Sequence, residues 1–484
     1  MTMLVQDIPV RASAPHFFQA LSDRFAPEFI WQSTFGTSGI TPAPRTGRYT
    51  YIGFSPLLSI ELREGSLEMD EGGKKTREVL AHGTNPFCIV ERCLTERLQK
   101  YERLLPRERN SPLPPLIPGA VGYFAYDSAR YLERIKGMTK HDALADCYFT
   151  IPSRLIVIDH ETDLATLCSF ADEEESSTSL VRWLRDSAEA SVSETISTQK
   201  EITWRGKFNE ASFIRMVERG QEYIAAGDIY QVVLANTFTV SSSPDPVRLY
   251  AELTQLNPSP HHFLIQLPRG ASLVGASPET LLRSERVQLE SGEELTRVYT
   301  RPVAGTYPRS GDLVDEASVR EKFLRDEKEQ AEHVMLIDLA RNDLGRVSRI
   351  GSVRVTDLLS TQAYSHVFHL YSQVGSDLRE DATPFSALSA SFPIGTMSGT
   401  PKIRAMEIIA ELEGPSRGTF GGAVAMIGAN GMVDVGVAIR AAIIEQERTT
   451  IQTGAGIVYD SNPAREYQEC LWKANAMFRA LARV

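Results

Sequence analysis

Two pairs of glutamates offer the first chemistry. Glu329 and Glu332 lie three apart in the run Asp326–His333, and Glu466 and Glu469 repeat that spacing near the C-terminus. Residues three apart share a helix face, so each pair projects two carboxylates in one direction. Two such faces brought together suit Mg²⁺, a hard cation that prefers oxygen ligands and keeps part of its water. A solitary Glu-x-x-Glu is more often a solvated helix face, so the spacing gains force only beside something for a metal to bind.

Glycine-rich segments supply that company: Gly305-Thr306, Gly395-Thr396, Gly399, Gly421-Gly422 and Gly454-Ala455-Gly456. Such loops can present backbone N–H groups to an anion, and Arg440 and Lys473 add charge. Each loop taken singly reads equally well as ordinary turn chemistry. His369 ends a β-like stretch, Tyr364–His369, where a lone histidine is more often a satisfied half-buried side chain than a catalyst. The residues alone describe an anion-binding, metal-assisted enzyme.

Helical spacing at Phe213–Ala226, Glu327–Ala340, Lys402–Leu412 and Glu466–Leu481 must position these groups, together with β-like runs at Ala438–Ile444 and Thr450–Gln452. A turn is expected at Gly454-Ala455-Gly456. Earlier in the chain, Tyr49–Ile52, Leu57–Leu62 and Arg154–Ile158 read as strands and Phe87–Lys100 as a helix. Mixed elements in both halves make an α/β or α+β body. The acidic, serine-rich stretch from Ala171 to Lys200 is too polar to bury. It divides the sequence into an N-terminal lobe (1–170), a linker (171–200) and a catalytic region (201–484).

The 484 residues are 42% hydrophobic and 23% charged, enough to build a large core. A net charge of −11 argues against nucleic acid, which wants a basic face. It also demands a local device for holding an anion. No apolar run has the length of a membrane span, and the sequence after Met1 lacks the pattern of a secretory signal. Five scattered cysteines form no Cys-x-x-Cys pair, and none sits in a Gly-x-Cys-x-Gly setting that would mark a glutamine-amidotransferase nucleophile. A cytoplasmic enzyme with reduced thiols is expected.

Taken together and in order, the C-terminal strings resemble the chorismate-utilising enzymes. They are Gly227–Val233, Gly275-Ala276-Ser277-Pro278-Glu279, Arg301–Thr306, the run Glu329–Arg346, Gly395–Lys402, Arg417–Gly422 and Gly454–Val458. Weaker matches lie at Gly47-Arg48-Tyr49, Ile52-Gly53, Gly122-Tyr123 and Tyr126-Asp127. The resemblance implies two layered β-sheets with peripheral helices and chorismate as substrate. It implies Mg²⁺ held by Glu332 and Glu469, with Glu329 and Glu466 in support. By the same resemblance Glu279 protonates the leaving C4 hydroxyl, His369 helps to remove the C2 proton and Thr396 orients substrate. Gly305, Thr306, Phe420, Arg440, Gly454, Ala455, Gly456 and Lys473 match substrate contacts.

Two positions discriminate within the family. Members that add water place a lysine base where this chain has Gln231, and glutamine there is typical of members that use ammonia. Aminodeoxychorismate synthases use a lysine nucleophile where this chain has Ala304, which has no nucleophilic atom. The resemblance therefore implies amination at C2, with ammonia from a separate glutamine amidotransferase subunit, then pyruvate loss to give anthranilate. The alternatives are an aminodeoxyisochorismate synthase, which retains the pyruvyl group, less closely an aminodeoxychorismate synthase, and an inactive scaffold subunit. Phe420 and Ala425 replace a common tyrosine and glycine. Gln32 and the pair His261-His262 depart from the tryptophan-responsive pattern, which predicts weak tryptophan feedback.

Overall fold

The computed structural model describes residues 4–9, 13–22, 24–34, 47–80, 83–105, 114–139, 144–170, 182, 201–308, 321, 325–363 and 367–484. The expected linker, 171–200, therefore lies outside the described residues apart from residue 182.

Helices begin where the sequence supplies both a cap and a fixed φ. Asn85, Asp245 and Asn462 each accept a hydrogen bond from a first-turn N–H, and a proline follows each of them. The proline lacks a donor that would be unpaired there and is preset for the helix. Asn209 caps Glu210–Ala225 in the same way without the proline. Glu327–Gly345 and Lys402–Leu412 complete the helices that border the site.

Among the described residues, 22 strands join one hydrogen-bonded sheet, and every pairing is antiparallel. Tyr49–Ile52 and Leu57–Leu62 prove to be parts of one long strand, Tyr49–Arg63. Strands before the seam pair directly with strands after it. Pro27–Ser33 lies against His261–Gln266, and Gly119–Phe124 lies against Ala423–Gly428.

The curled sheet is apolar on both faces. In Pro27–Ser33, Phe29 and Trp31 enter the largest core with Phe263, while Ile30 enters a second with Leu264. Period-two alternation sends neighbours to opposite faces. The second core is closed by the helices Ala14–Ser22, Pro246–Leu256 and Pro463–Leu481. A third core joins Glu210–Ala225, Lys402–Leu412 and Pro463–Leu481 to the Gln231–Val240 strand. No helix among the described residues is long and apolar enough to cross a membrane.

Candidate active site

The turn between strands Ser272–Ser277 and Thr280–Gln288 carries Glu279 inward, where it is 3% exposed. The Thr396 hydroxyl donates to its Oε1 at 2.8 Å. Burial raises the Glu279 carboxyl to about 7, against the Thr396 hydroxyl, the Val303 amide and the Lys473 charge, all of which lower it. A neutral carboxyl near neutral pH can give up a proton, which an ordinary surface glutamate cannot.

Thr396 reaches Glu279 from the short helix Gly395–Ser398. A Cβ on Gly395 would lie 1.8 Å from the Leu339 side chain, so glycine lets this turn press against the helix Glu327–Gly345. A small cavity lined by Thr300, Leu339, Asp343, Ser391 and Thr396 opens along that contact.

The expected glycine turn at Gly454–Gly456 is instead strand. Thr449–Ile457 runs unbroken and pairs with Gln231–Val240, placing Gly454 opposite Ala235 and Gly456 opposite Val233. Glycine is used here for close approach. A Cβ on Gly454 would sit 2.8 Å from the Leu234 carbonyl, and one on Gly456 would sit 2.8 Å from the Gln231 Nε2. The ladder also sets where these amides point. The Ala235 N–H donates to Glu413, the Val233 carbonyl accepts from Arg417, and the Gly454 carbonyl accepts from Lys473. In an antiparallel ladder such outward residues face each other as non-hydrogen-bonded pairs. The amides of Gly454 and Gly456 therefore turn away from the Gln231–Val240 strand.

Cations gather at the same place. The Lys473 ammonium donates to the Gly454 carbonyl at 2.9 Å and bridges Glu469 at 2.6 Å. Arg440 donates to the Lys473 carbonyl at 3.0 Å. The expected strand Ala438–Ile444 begins only at Ala441, because Arg440 sits in the left-handed region (φ 50°) and breaks the run. Although part of its side chain keeps exposed surface, burial lowers the Arg440 guanidinium to about 10, and the Glu469 charge opposes that shift. It stays charged at neutral pH.

Gln231 opens its strand opposite Thr400 and is 7% exposed, with Oε1 buried and unpartnered. Phe420 is buried at 5% exposure, with the Arg417 guanidinium 5.7 Å from its ring centre. Gly305 and Thr306 lie in the strand Val303–Pro308, and Thr306 pairs with His369 of Val367–Asp377. The side chains of Thr306, His369 and Glu329 lie outside the described residues.

The two carboxylate pairs lie on different helices. Glu329 and Glu332 belong to Glu327–Gly345, which packs on Val303–Pro308 and Gly395–Ser398. Glu466 and Glu469 belong to the first turns of Pro463–Leu481, which covers Thr449–Ile457. Among the described residues no three histidine, cysteine or acidic side chains already form a cluster that could hold a metal. All four groups are hard oxygen donors, so the donor set has the chemistry of Mg²⁺.

Sequence reasoning missed a buried network behind this site. Arg417 is 2% exposed and pairs with Glu413, while Asp127 accepts from the amides of Arg417 and Gly418 at 2.9 and 2.8 Å. The strings containing Asp127 and Arg417 were visible as motifs. Nothing in either one signals that they meet across almost 300 positions.

Comparison with known proteins places the chain in a family. The chorismate binding enzyme family matches residues 47–479. Anthranilate synthase component 1 of Thermus thermophilus is 38% identical over 440 residues, covering 90% of each chain. Aminodeoxychorismate synthase component 1 of Bacillus subtilis is 34% identical over 445 residues, again 90% of each. The crystal structure of anthranilate synthase component I from Streptococcus pneumoniae matches with a TM-score of 0.71 at 29% identity, over 92% of this chain and 94% of that one. With sequence and backbone both matched over most of its length, the chain belongs to the chorismate-binding enzyme family.

Proposed function

We propose that this enzyme is the chorismate-consuming subunit of an anthranilate synthase. The observation that carries the reading is the buried Glu279 carboxyl, held by Thr396 and raised to about 7 within reach of the Lys473 charge, whose backbone carbonyl accepts from Arg440. Chorismate is a dicarboxylate whose C4 hydroxyl leaves only if protonated, and this site joins an anion cradle to a neutral acid.

Glu279 gives its proton to the C4 hydroxyl, which departs as water while ammonia bonds to C2. Loss of the C2 proton, assisted by His369, and cleavage of the C3–oxygen bond then leave the aromatic amine, and the departing enolpyruvate takes up a proton at its methylene carbon to become pyruvate. Gln231, beside Gly456, has no basic nitrogen and cannot activate water. Ammonia is itself the nucleophile and needs no such base. Ala304 cannot form the covalent intermediate of a lysine-dependent synthase, which disfavours that activity despite the Bacillus subtilis relative.

The amides of Gly454 and Gly456, with Lys473 and Arg440, bind a substrate carboxylate; Thr396 orients the substrate, and Gly305, Thr306 and Phe420 are further contacts. Glu332 and Glu469 would hold Mg²⁺, supported by Glu329 and Glu466. Bound there, the metal supplies neutralising charge for the ring carboxylate. Ammonia comes from a glutamine amidotransferase partner.

Mass spectrometry of the products from chorismate, Mg²⁺ and ammonium tests the reading. Anthranilate and pyruvate are expected in equal amounts. An aminated product that retains its pyruvyl group would identify an aminodeoxyisochorismate synthase instead, and no product at all would leave the scaffold alternative.

A further inference from the structure

The Gln231–Val240 strand has a gap along the edge opposite Thr449–Ile457. Gly399–Thr400 pairs with it at Gln231 and Val232, and Trp204–Gly206 pairs with it from Phe238 to Val240. Between those strands the Val233 carbonyl and the Ala235 N–H face a buried ion pair. Arg417 donates to the Val233 carbonyl at 2.6 Å, and Glu413 accepts from the Ala235 amide at 2.7 Å. The pair does for this edge what another strand would do.

The same guanidinium reaches a second element of the site. Its Nη1 donates at 2.7 Å to the carbonyl of Met397, the residue after Thr396. Its Nε holds Glu413 at 2.8 Å, and its face lies 4.8 Å from the Tyr126 ring centre. Asp127 grips the backbone of Arg417 and Gly418 from behind, so the anchor is itself anchored. A planar fork with donors in fixed directions makes such a junction rigid, and a lysine ammonium cannot occupy all three acceptors in that plane.

We propose that Arg417 is a positioning residue that sets the separation between the acid and nucleophile sides of the site. It ties the turn that aims Thr396 at Glu279 to the strand that carries Gln231 and faces Gly454 and Gly456. The inference rests on the proposed amination for its kinetic consequence, but not for its geometry.

Arg417→Lys keeps the charge and loses the fork. It is expected to lower kcat about 10- to 100-fold with little change in the KM for chorismate, as a misplacement near 1 Å would. Slackening Thr396 also removes a hydrogen bond that lowers the Glu279 pKa, so the alkaline limb of the pH–rate profile should move to higher pH. Thr396→Val should move that limb the same way, and the double variant should move it no further. Glu413→Gln, which perturbs the pair while keeping its shape, should give a smaller shift in the same direction and serves if Arg417→Lys does not fold. An unmoved limb in the folded variants, with lowered thermal stability alone, would make Arg417 merely structural and overturn the proposal. Amide exchange separates this failure from failure of the proposed reaction. Even in an enzyme with no chorismate turnover, Arg417→Lys should raise exchange at residues 395–398 and 233–235 while sparing Pro463–Leu481. Unchanged exchange there would overturn the positioning role independently.

Discussion

Glu279 shows how one side chain can be tuned without a neighbouring acid. Burial supplies the upward shift, and the Thr396 hydroxyl tempers it. The working form is protonated, so turnover should fall as pH rises through about 7. Glu279→Gln keeps the shape but has no proton to give. Its kcat should drop about 10²- to 10⁴-fold, the usual range for a general acid, and the alkaline limb should vanish. A profile that keeps this limb in the variant would assign it to another group. Stability follows the same linkage with its sign fixed. The folded pKa lies above the ordinary 4.5, so the stability this group contributes is complete below about 4.5 and is lost as pH rises through about 7. Glu279→Gln should therefore melt higher than the parent at pH 8, and the difference should shrink at pH 5.

Among elements, the contact of Gly395–Ser398 with Glu327–Gly345 governs where Thr396 can be. Gly395→Ala puts a methyl into the Leu339 side chain, and overpacking of this kind costs about 1–3 kcal/mol. The turn should shift, lowering kcat, and Leu339→Ala in the same chain should restore much of it. Failure of that second change to rescue would locate the damage elsewhere. The two carboxylate helices lend themselves to a separate test. Glu332→Gln or Glu469→Gln should abolish turnover while circular dichroism stays that of the parent. Near-normal activity of either across a Mg²⁺ titration would sink the metal assignment. The strand pair Pro27–Ser33 and His261–Gln266 holds the residues on which the tryptophan prediction rests. His261 is fully buried and shares a hydrogen bond with Asp434 at 3.2 Å, while Arg283 donates to the same oxygen at 3.0 Å. Burial alone would raise the Asp434 carboxyl, yet Arg283 and His261 hold it well below its ordinary value. Trp31 fills the adjoining space, 5.7 Å from the His261 ring. Gln32, paired in register with His262, offers only a neutral acceptor to an amino group. Exchanging a charged for a neutral partner loses about 1 kcal/mol or more, roughly tenfold in affinity at 1.4 kcal/mol. Calorimetry should detect no tight tryptophan binding; tight binding with matching inhibition would refute this.

For the whole molecule, the decisive question is the source of nitrogen. The chain has five cysteines; burial raises the Cys88 and Cys93 thiols above their ordinary value and the Cys147 and Cys470 thiols far above it. A thiol so disfavoured as thiolate is no amidotransferase nucleophile. Ammonium-dependent activity should belong to this chain alone, and glutamine-dependent activity should appear only when a separate amidotransferase is added. Glutamine consumption by the purified chain unaided would contradict this.

Local periodicity located the helices that border the site, Lys402–Leu412 at its observed ends, but it passed over Pro246–Leu256 despite its Asp245 cap and first-turn proline. Helix formation is a matter of neighbours three and four apart, which any window displays. The ordered strings were also enough to identify the family, because each preserves a short stretch of backbone and side chains. Tertiary structure decided what the glycines do. Gly454 and Gly456 read as a turn by composition, but they pair with Ala235 and Val233 as strand, and at Gly454 the Leu234 carbonyl lies too close for a Cβ. It decided the pKa of Glu279, since burial is a property of what surrounds a residue rather than of its neighbours in sequence. It also brought Asp127 to Arg417, and Arg417 to Val233 and Met397. Those contacts join segments far apart along the chain, and their energy appears only once the sheet has curled and closed over them.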